Sequence, residues 1–198
     1  MSAQETRERT GAVEEAFFRR LGQLGRGELA VLRRNAGSTL GESRNALGLL
    51  YRLLPPAFSG GRDEEIFFLA ATLFAVNPTP GTGDFGVTMR AVDRARGGGS
   101  PAAESSEGPI DRRMRILLDS EFERIDGRPG GGELAYRLRQ CVRLAAGAGV
   151  GVDGPLLLRD LRRWNHPDRY VQKRWARSYF TAATTEQSND AEEAPDAA

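Results

Sequence analysis

Cysteine, histidine and lysine each occur once in this 198-residue chain, as Cys141, His166 and Lys173, and each scarcity closes off a class of chemistry. A lone cysteine cannot form an intramolecular disulfide, and one set in an apolar helical stripe reads as an inert buried thiol. One cysteine and one histidine cannot furnish a zinc site without several carboxylates, so neither a metal nor a cofactor is expected. No serine stands in a nucleophile-elbow context. Carboxylates such as Asp119, Glu121 and Glu123 lie two residues apart, and on a helix that spacing makes them diverge rather than share acid–base work. The chain is therefore not expected to be an enzyme. Its longest apolar stretches, 66–76 and 156–158, fall short of the roughly 18 residues of a membrane span, so no membrane partner is expected. Residues 1–10 are polar and charged with no apolar signal region, which makes the cytoplasm the expected location. No segment sustains a two-residue alternation of β-branched side chains, so strands are not expected either.

What remains is a globular composition, 39% hydrophobic and 28% charged, with enough chain for one domain or two small ones. The formal net charge of +1 hides a gradient, because five acids (Glu186, Asp190, Glu192, Glu193, Asp196) close the chain with no base among them. Setting aside those five, and two bases and two acids before Gly11, leaves 26 Lys+Arg against 20 Asp+Glu. That surplus is carried almost wholly by arginine, whose planar fork grips phosphate bidentately. A GC-rich genome also replaces lysine with arginine, so the ratio has two explanations and charge alone does not prove nucleic-acid binding.

Periodicity predicts an all-α fold of two small helical bundles. Residues 1–11 read as a polar tail, 12–96 as an N-terminal bundle, 97–108 as a flexible linker loop, 109–182 as a C-terminal four-helix bundle and 183–198 as an acidic disordered tail. In the first bundle, helices are expected over 12–21, 27–36 and 42–54, the last carrying Leu47, Leu50, Tyr51 and Leu54 and stopping at Pro55-Pro56. The next opens on Asp63-Glu64-Glu65 and is apolar on most sides from Ile66 to Phe74, which places it at the centre of its half. A short element covers 85–92. After the linker, helices are expected over 109–125, 133–146, 156–164 and 169–182. The first has Ile110, Met114, Leu117, Leu118 and Glu121 on one side and Arg112 opposite, with Arg115 at its flank. The second has Leu134, Leu138, Cys141 and Ala145 inward and Arg139 and Arg143 on the polar side. Leu157, Leu161 and Trp164 are expected to face Val171, Trp175 and Tyr179.

Two motif-like strings fail in context. Gly149-Val150-Gly151-Val152-Asp153-Gly154 matches G-x-G-x-x-G but follows a helix rather than a strand, with no βαβ unit around it, so it reads as an inter-helix loop. His166-Pro167-Asp168 matches the signature of J-domain co-chaperones, yet lies near the end of the sequence without the aromatic pattern such domains carry.

A more distinctive set appears in order along the chain: Leu29-Ala30-Val31-Leu32-Arg33-Arg34, Tyr51-Arg52-Leu53-Leu54-Pro55, Asp84-Phe85-Gly86 leading to Arg90, Asp111-Arg112-Arg113, the stretch Leu134 to Arg143, and Trp175 to Phe180 with Ala-Arg and Tyr-Phe inside it. In this arrangement the chain resembles the CasB-type small subunit of Cascade, the type I-E CRISPR surveillance complex, over roughly Ala12 to Ala182. The resemblance implies a non-catalytic helical subunit that enters the complex as a head-to-tail dimer beside other Cascade subunits. It further implies backbone contacts, blind to sequence, with guide RNA and target DNA, and stabilisation of the displaced strand of the R-loop. Carried over residue by residue, Arg33 and Arg34 match the family's early basic pair, Arg52 its tyrosine–arginine pair, and Arg112 and Arg113 the pair opening the second bundle. Arg137, Arg139 and Arg143 match its later basic helix. Arg139 and Arg143, one helical turn apart, are placed for neighbouring phosphates, whereas Arg137 projects away from them. The longer glycine-rich 97–108 stretch and the acidic tail depart from the family pattern. The alternative reading is a helical adaptor whose arginines meet acidic protein surfaces.

Overall fold

A computed structural model describes residues 3–43, 45–97, 108–125 and 128–181, with side chains for these other than 3–10, 123–125 and 128–130. Most of the expected 97–108 linker and the 183–198 acidic segment lie outside the described residues. The fold is all-α. Among the described residues nine α-helices run α1 Ala3–Leu21, α2 Arg26–Arg34, α3 Leu47–Leu53, α4 Glu64–Val76, α5 Phe85–Ala95, α6 Pro109–Asp119, α7 Gly132–Gly147, α8 Gly154–Leu161 and α9 Tyr170–Ala176, the last continuing as a wider π turn to Thr181.

Helix α4 is the hub, as its uniformly apolar sequence predicts: Ile66 to Leu73 are all buried. It packs on α1 and α2 from its own half and on α7 and α8 from the other, so helices on both sides of the 97–108 stretch share one core. Helix α1 lies on α8, and α5 packs on α6, α7 and α9. Phe17 meets Phe67 edge-on at 4.9 Å, and Trp164 meets Trp175 at 4.8 Å, which joins the last two helices as their apolar spacing predicts. Between the halves, Arg162 at the end of α8 donates to the wholly buried Glu14 of α1 at 2.6 Å and to Asp63 at 2.7 Å, its guanidinium 4.8 Å over the Phe58 ring.

Helix ends differ from the sequence expectation wherever a distant partner sets them. Helix α1 starts at Ala3, taking in residues expected as a polar tail; Gln, Glu, Arg and Ala there are good helix formers. Helix α3 begins at Leu47 rather than Glu42, because residues 39–43 are used in a turn: Glu42 accepts the Thr39 N–H at 2.9 Å and the Ser43 hydroxyl donates to the Leu40 carbonyl at 2.8 Å. Its buried face is Leu49, Leu50, Leu53 and Leu54, which turns Leu47 (40% exposed) and Tyr51 (45%) outward instead of inward. Helix α6 stops at Asp119 rather than Ile125, since the Trp164 indole claims the Ser120 carbonyl at 2.9 Å and Arg169 claims that of Leu118 at 2.7 Å. Beyond it, Glu121 is exposed rather than part of the inward stripe. There the expectation of no strands is also corrected: Glu123–Ile125 (β1) and Arg128–Gly130 (β2) form an antiparallel pair with Arg124 opposite Pro129.

The glycine string 149–154 has a packing explanation. Gly149 ends α7 at φ 69°, and a side chain at Gly151 would stand 2.0 Å from the Pro80 carbonyl oxygen. A side chain at Gly154 would stand 2.1 Å from the Phe18 ring. The motif spacing is that of two loops in backbone contact, with Gly81 N–H donating to the Val152 carbonyl at 3.1 Å. His166-Pro167-Asp168 likewise makes a turn, in which the Asp168 N–H donates to His166 Nδ1 at 3.2 Å before Arg169 takes a left-handed φ of 49°.

Candidate nucleic-acid interface

Three of the eight arginines singled out from sequence lie in the C-terminal turn of α2 or against the turn that follows that helix. Arg33 and Arg34 form its last turn. The amphipathic spacing of Leu29 and Leu32 sends them outward, and Arg33 Nε donates to the Ala75 carbonyl at 2.7 Å in the last turn of α4. Just past the Asn35 cap the chain turns through Gly37 at φ 100°, and Arg139 of α7 lies over that glycine. A Cβ at Gly37 would stand 2.4 Å from Arg139 Nη1, so a side chain there would strain the left-handed dihedral and push the end of the Arg139 side chain aside. Arg139 Nε is buried without a hydrogen-bond partner among the described residues. Burial, and then the charge of Arg143 one turn along, push the Arg139 guanidinium below its ordinary pKa, yet an arginine remains a cation across the physiological range. The arrangement is a partly desolvated cation with a spare donor and a like-charged neighbour, which an anion would relieve.

Arg113 and Arg137 meet elsewhere, across the α6–α7 contact, in a cleft of about 160 Å³ that they line with Ile116, Tyr136, Gln140 and Cys141. Arg137 is already engaged: it donates to Glu133 through Nη2 at 3.1 Å and lies 5.7 Å from the Tyr136 ring centre. Such an exposed pair one turn apart is worth only a few tenths of a kcal/mol, about 0.3–0.5, so it competes weakly with a phosphate. Cys141, beneath, is buried, and desolvation pushes its thiol up to about 12, as an inert core cysteine requires. Arg112 is exposed on the outer side of α6. Arg52 stands apart on α3, where it pairs with Glu28 at 2.9 Å; the Gly25 N–H, then Arg52, hold that carboxyl below its usual range. The eight positions thus fall into separate groups: Arg139, with Arg143 one turn along α7, sits against the turn that follows Arg33 and Arg34, the α6–α7 cleft gathers Arg113 and Arg137, and Arg52 and Arg112 lie outside both.

The motifs around Asp84 and Trp175 serve packing instead. Asp84 caps α5 through the Val87 N–H at 3.2 Å, accepts from the Ser178 hydroxyl at 2.7 Å and faces Arg174 at 3.5 Å. A Cβ at Gly86 would stand 2.2 Å from the Trp175 carbonyl oxygen. The buried Asp160 completes this network, accepting the Trp175 indole N–H at 2.7 Å and pairing with Arg174. Sequence reasoning passed over Arg159 of α8 and Arg163 of the turn that follows it, which line a groove beside α9. Their i, i+4 spacing opposite Leu157 and Leu161 was the available signal. Among the described residues no group of three or more His, Cys, Asp or Glu could hold a metal, and no helix is long and apolar enough to cross a membrane.

Fold and surface together define a class: a mainly helical protein that commits some arginines to its own core and leaves others exposed at its surface. The family model described as CRISPR-associated protein Cse2 matches residues 28–180, and the chain belongs to that family. It is 34% identical over 132 residues to the CRISPR-associated protein Cse2 of Thermus thermophilus, a match that spans 66% of this chain and 64% of that relative's length. Among solved structures, CasB of M. ruber superposes with a TM-score of 0.65 at 26% identity, covering 89% of this chain and 97% of that one. CasB of Thermus thermophilus gives 0.61 at 25%, covering 86% and 97%.

Proposed function

We propose that this chain is the non-catalytic small subunit of a type I-E Cascade complex. There it would sit beside the other subunits and a second copy of itself, and hold guide RNA and target or displaced DNA strands by their phosphates. The observation that carries this reading is Arg139, lying over Gly37 in the turn that follows Arg33 and Arg34, with Arg143 beside it and a buried Nε that has no partner among the described residues. R-loop formation exchanges one duplex for another at nearly balanced free energy, so a few backbone contacts tip it without reading sequence. Membership of a CRISPR-associated family supports the setting. Arg34→Ala/Arg139→Ala/Arg143→Ala, which spares the Arg33 bond to α4, should fold normally and bind single-stranded DNA and RNA more weakly. Its salt slope should fall by roughly 2, at about 0.7 per lost contact. Unchanged affinity and slope would remove the mechanism.

The adaptor reading has its own support in the outward Leu47 and Tyr51 beside the paired Arg52. A wild-type protein that shifts no nucleic acid at low salt would favour it.

A further inference from the structure

Arg159 of α8 and Arg163, two residues past the end of that helix, line one groove, while Leu157, Leu161 and Trp164 around them are buried. Across from them are Tyr170 and Arg174 of α9, and between the two helices runs a groove of about 570 Å³ with Leu156 at its wall. That volume lies within the range of small-ligand sites, roughly 300–1,000 Å³. The charges in the groove divide into spent and unspent. Arg174 is committed to Asp160 and Asp84, and those two buried carboxylates are in turn committed to Arg174, Trp175 and Ser178. Neither Arg159 nor Arg163 makes an ion pair among the described residues. Arg159 lies against α1, where a Cβ on Gly11 would stand 3.1 Å from its Nη2, and its Nε is buried with no hydrogen-bond partner among the described residues. Its side chain lines one wall of the groove.

Two unspent guanidinium groups would accept any polyanion. The aromatic side chain narrows the choice. Tyr170 is exposed at the groove, with its ring held by an edge contact to His166 at 4.9 Å and 69°. A ring fixed beside paired arginines offers a stacking surface for a base together with phosphate ligands, and only a single strand has base faces free to stack. An acidic peptide would use the arginines and leave the ring idle.

We propose that the α8–α9 groove takes one unstacked nucleotide of a single-stranded nucleic acid, its base against Tyr170 and its flanking phosphates on Arg159 and Arg163. This rests on the reading that the chain binds nucleic acid, and adds a second site away from the contact of Arg139 with Gly37. The test uses the full chain with a 12-nucleotide single strand carrying 5-iodouridine, photo-crosslinked and mapped by peptide mass spectrometry, alongside binding to the unmodified strand and to a duplex of equal length. A crosslink on Tyr170 is expected. Tyr170→Leu should weaken single-strand binding about tenfold, by loss of one stacked base, and leave duplex binding unchanged, whereas Tyr170→Phe should bind as the wild type does. Arg163→Gln should lower the salt slope by about 0.7. Absence of a Tyr170 adduct together with wild-type affinity of Tyr170→Leu overturns the groove. So does a poly-glutamate competitor whose binding Tyr170→Leu weakens equally, which would reassign it to an acidic protein. Arg139→Ala/Arg143→Ala run in parallel separates the two readings: loss there without loss in the Tyr170 and Arg163 variants sinks only the groove, and no loss in any variant sinks both.

Discussion

Arg162, Arg169 and Arg174 turn their guanidinium groups inward onto Glu14, Asp63, the Leu118 carbonyl, Asp160 and Asp84, whereas Arg34, Arg112 and Arg143 stand exposed without such partners among the described residues. Codon bias can raise an arginine count, but it does not sort side chains by partner, so the partners are the more informative observation. Acids sort in the same way. Asp93 on α5 is raised above the ordinary aspartate range by burial and then by the charge of Asp111, partly offset by Arg90. Its neutral form is therefore the one the fold prefers. A raised carboxyl contributes stability that is complete below the unfolded pKa of about 3.9 and is lost as pH rises through the folded value. Asp93→Asn should accordingly melt above wild type at pH 7, with the two melting curves converging as pH falls below about 4; a difference that grows on acidification would contradict the assignment.

At the scale of elements, legibility followed the range of the forces involved. Helix α4, the inward stripe of α7 and the Trp164–Trp175 contact were readable because apolar periodicity is local. The ends of α3 and α6 were not, because Glu42, Trp164 and Arg169 set them through hydrogen bonds that spacing cannot reveal. Of the site, periodicity places Arg139 and Arg143 on the polar side of α7, while the contact of Arg139 with Gly37 depends on where the turn after α2 crosses α7. Arg159 and Arg163 had the same spacing as Arg139 and Arg143 but lay outside the family motifs, which drew attention elsewhere. Glycines give an element-scale test. Gly48, inside α3 with open space around it, should gain about 0.5–1 kcal/mol on Gly48→Ala, whereas Gly151→Ala forces apart two backbones and should cost on the order of 3 kcal/mol or more. Chemical denaturation of the two variants reads both signs.

For the molecule as a whole, the Arg162 contacts join α1, the start of α4 and the end of α8, elements from both sides of the 97–108 stretch. Arg162→Met leaves Glu14, fully enclosed, with no cation, an arrangement that costs about 3–5 kcal/mol when one partner of a buried pair is removed. With the core shared between the halves, wild-type unfolding should appear in calorimetry as one transition whose van't Hoff and calorimetric enthalpies agree. Two resolved transitions would mean that the halves melt independently. The seat of Arg139 on Gly37 also carries a consequence for how such proteins diverge. The two positions are far apart in the chain and touch in three dimensions, so a lineage that acquires a side chain at 37 has to hold it at a left-handed dihedral and move the end of the residue 139 side chain away from that turn.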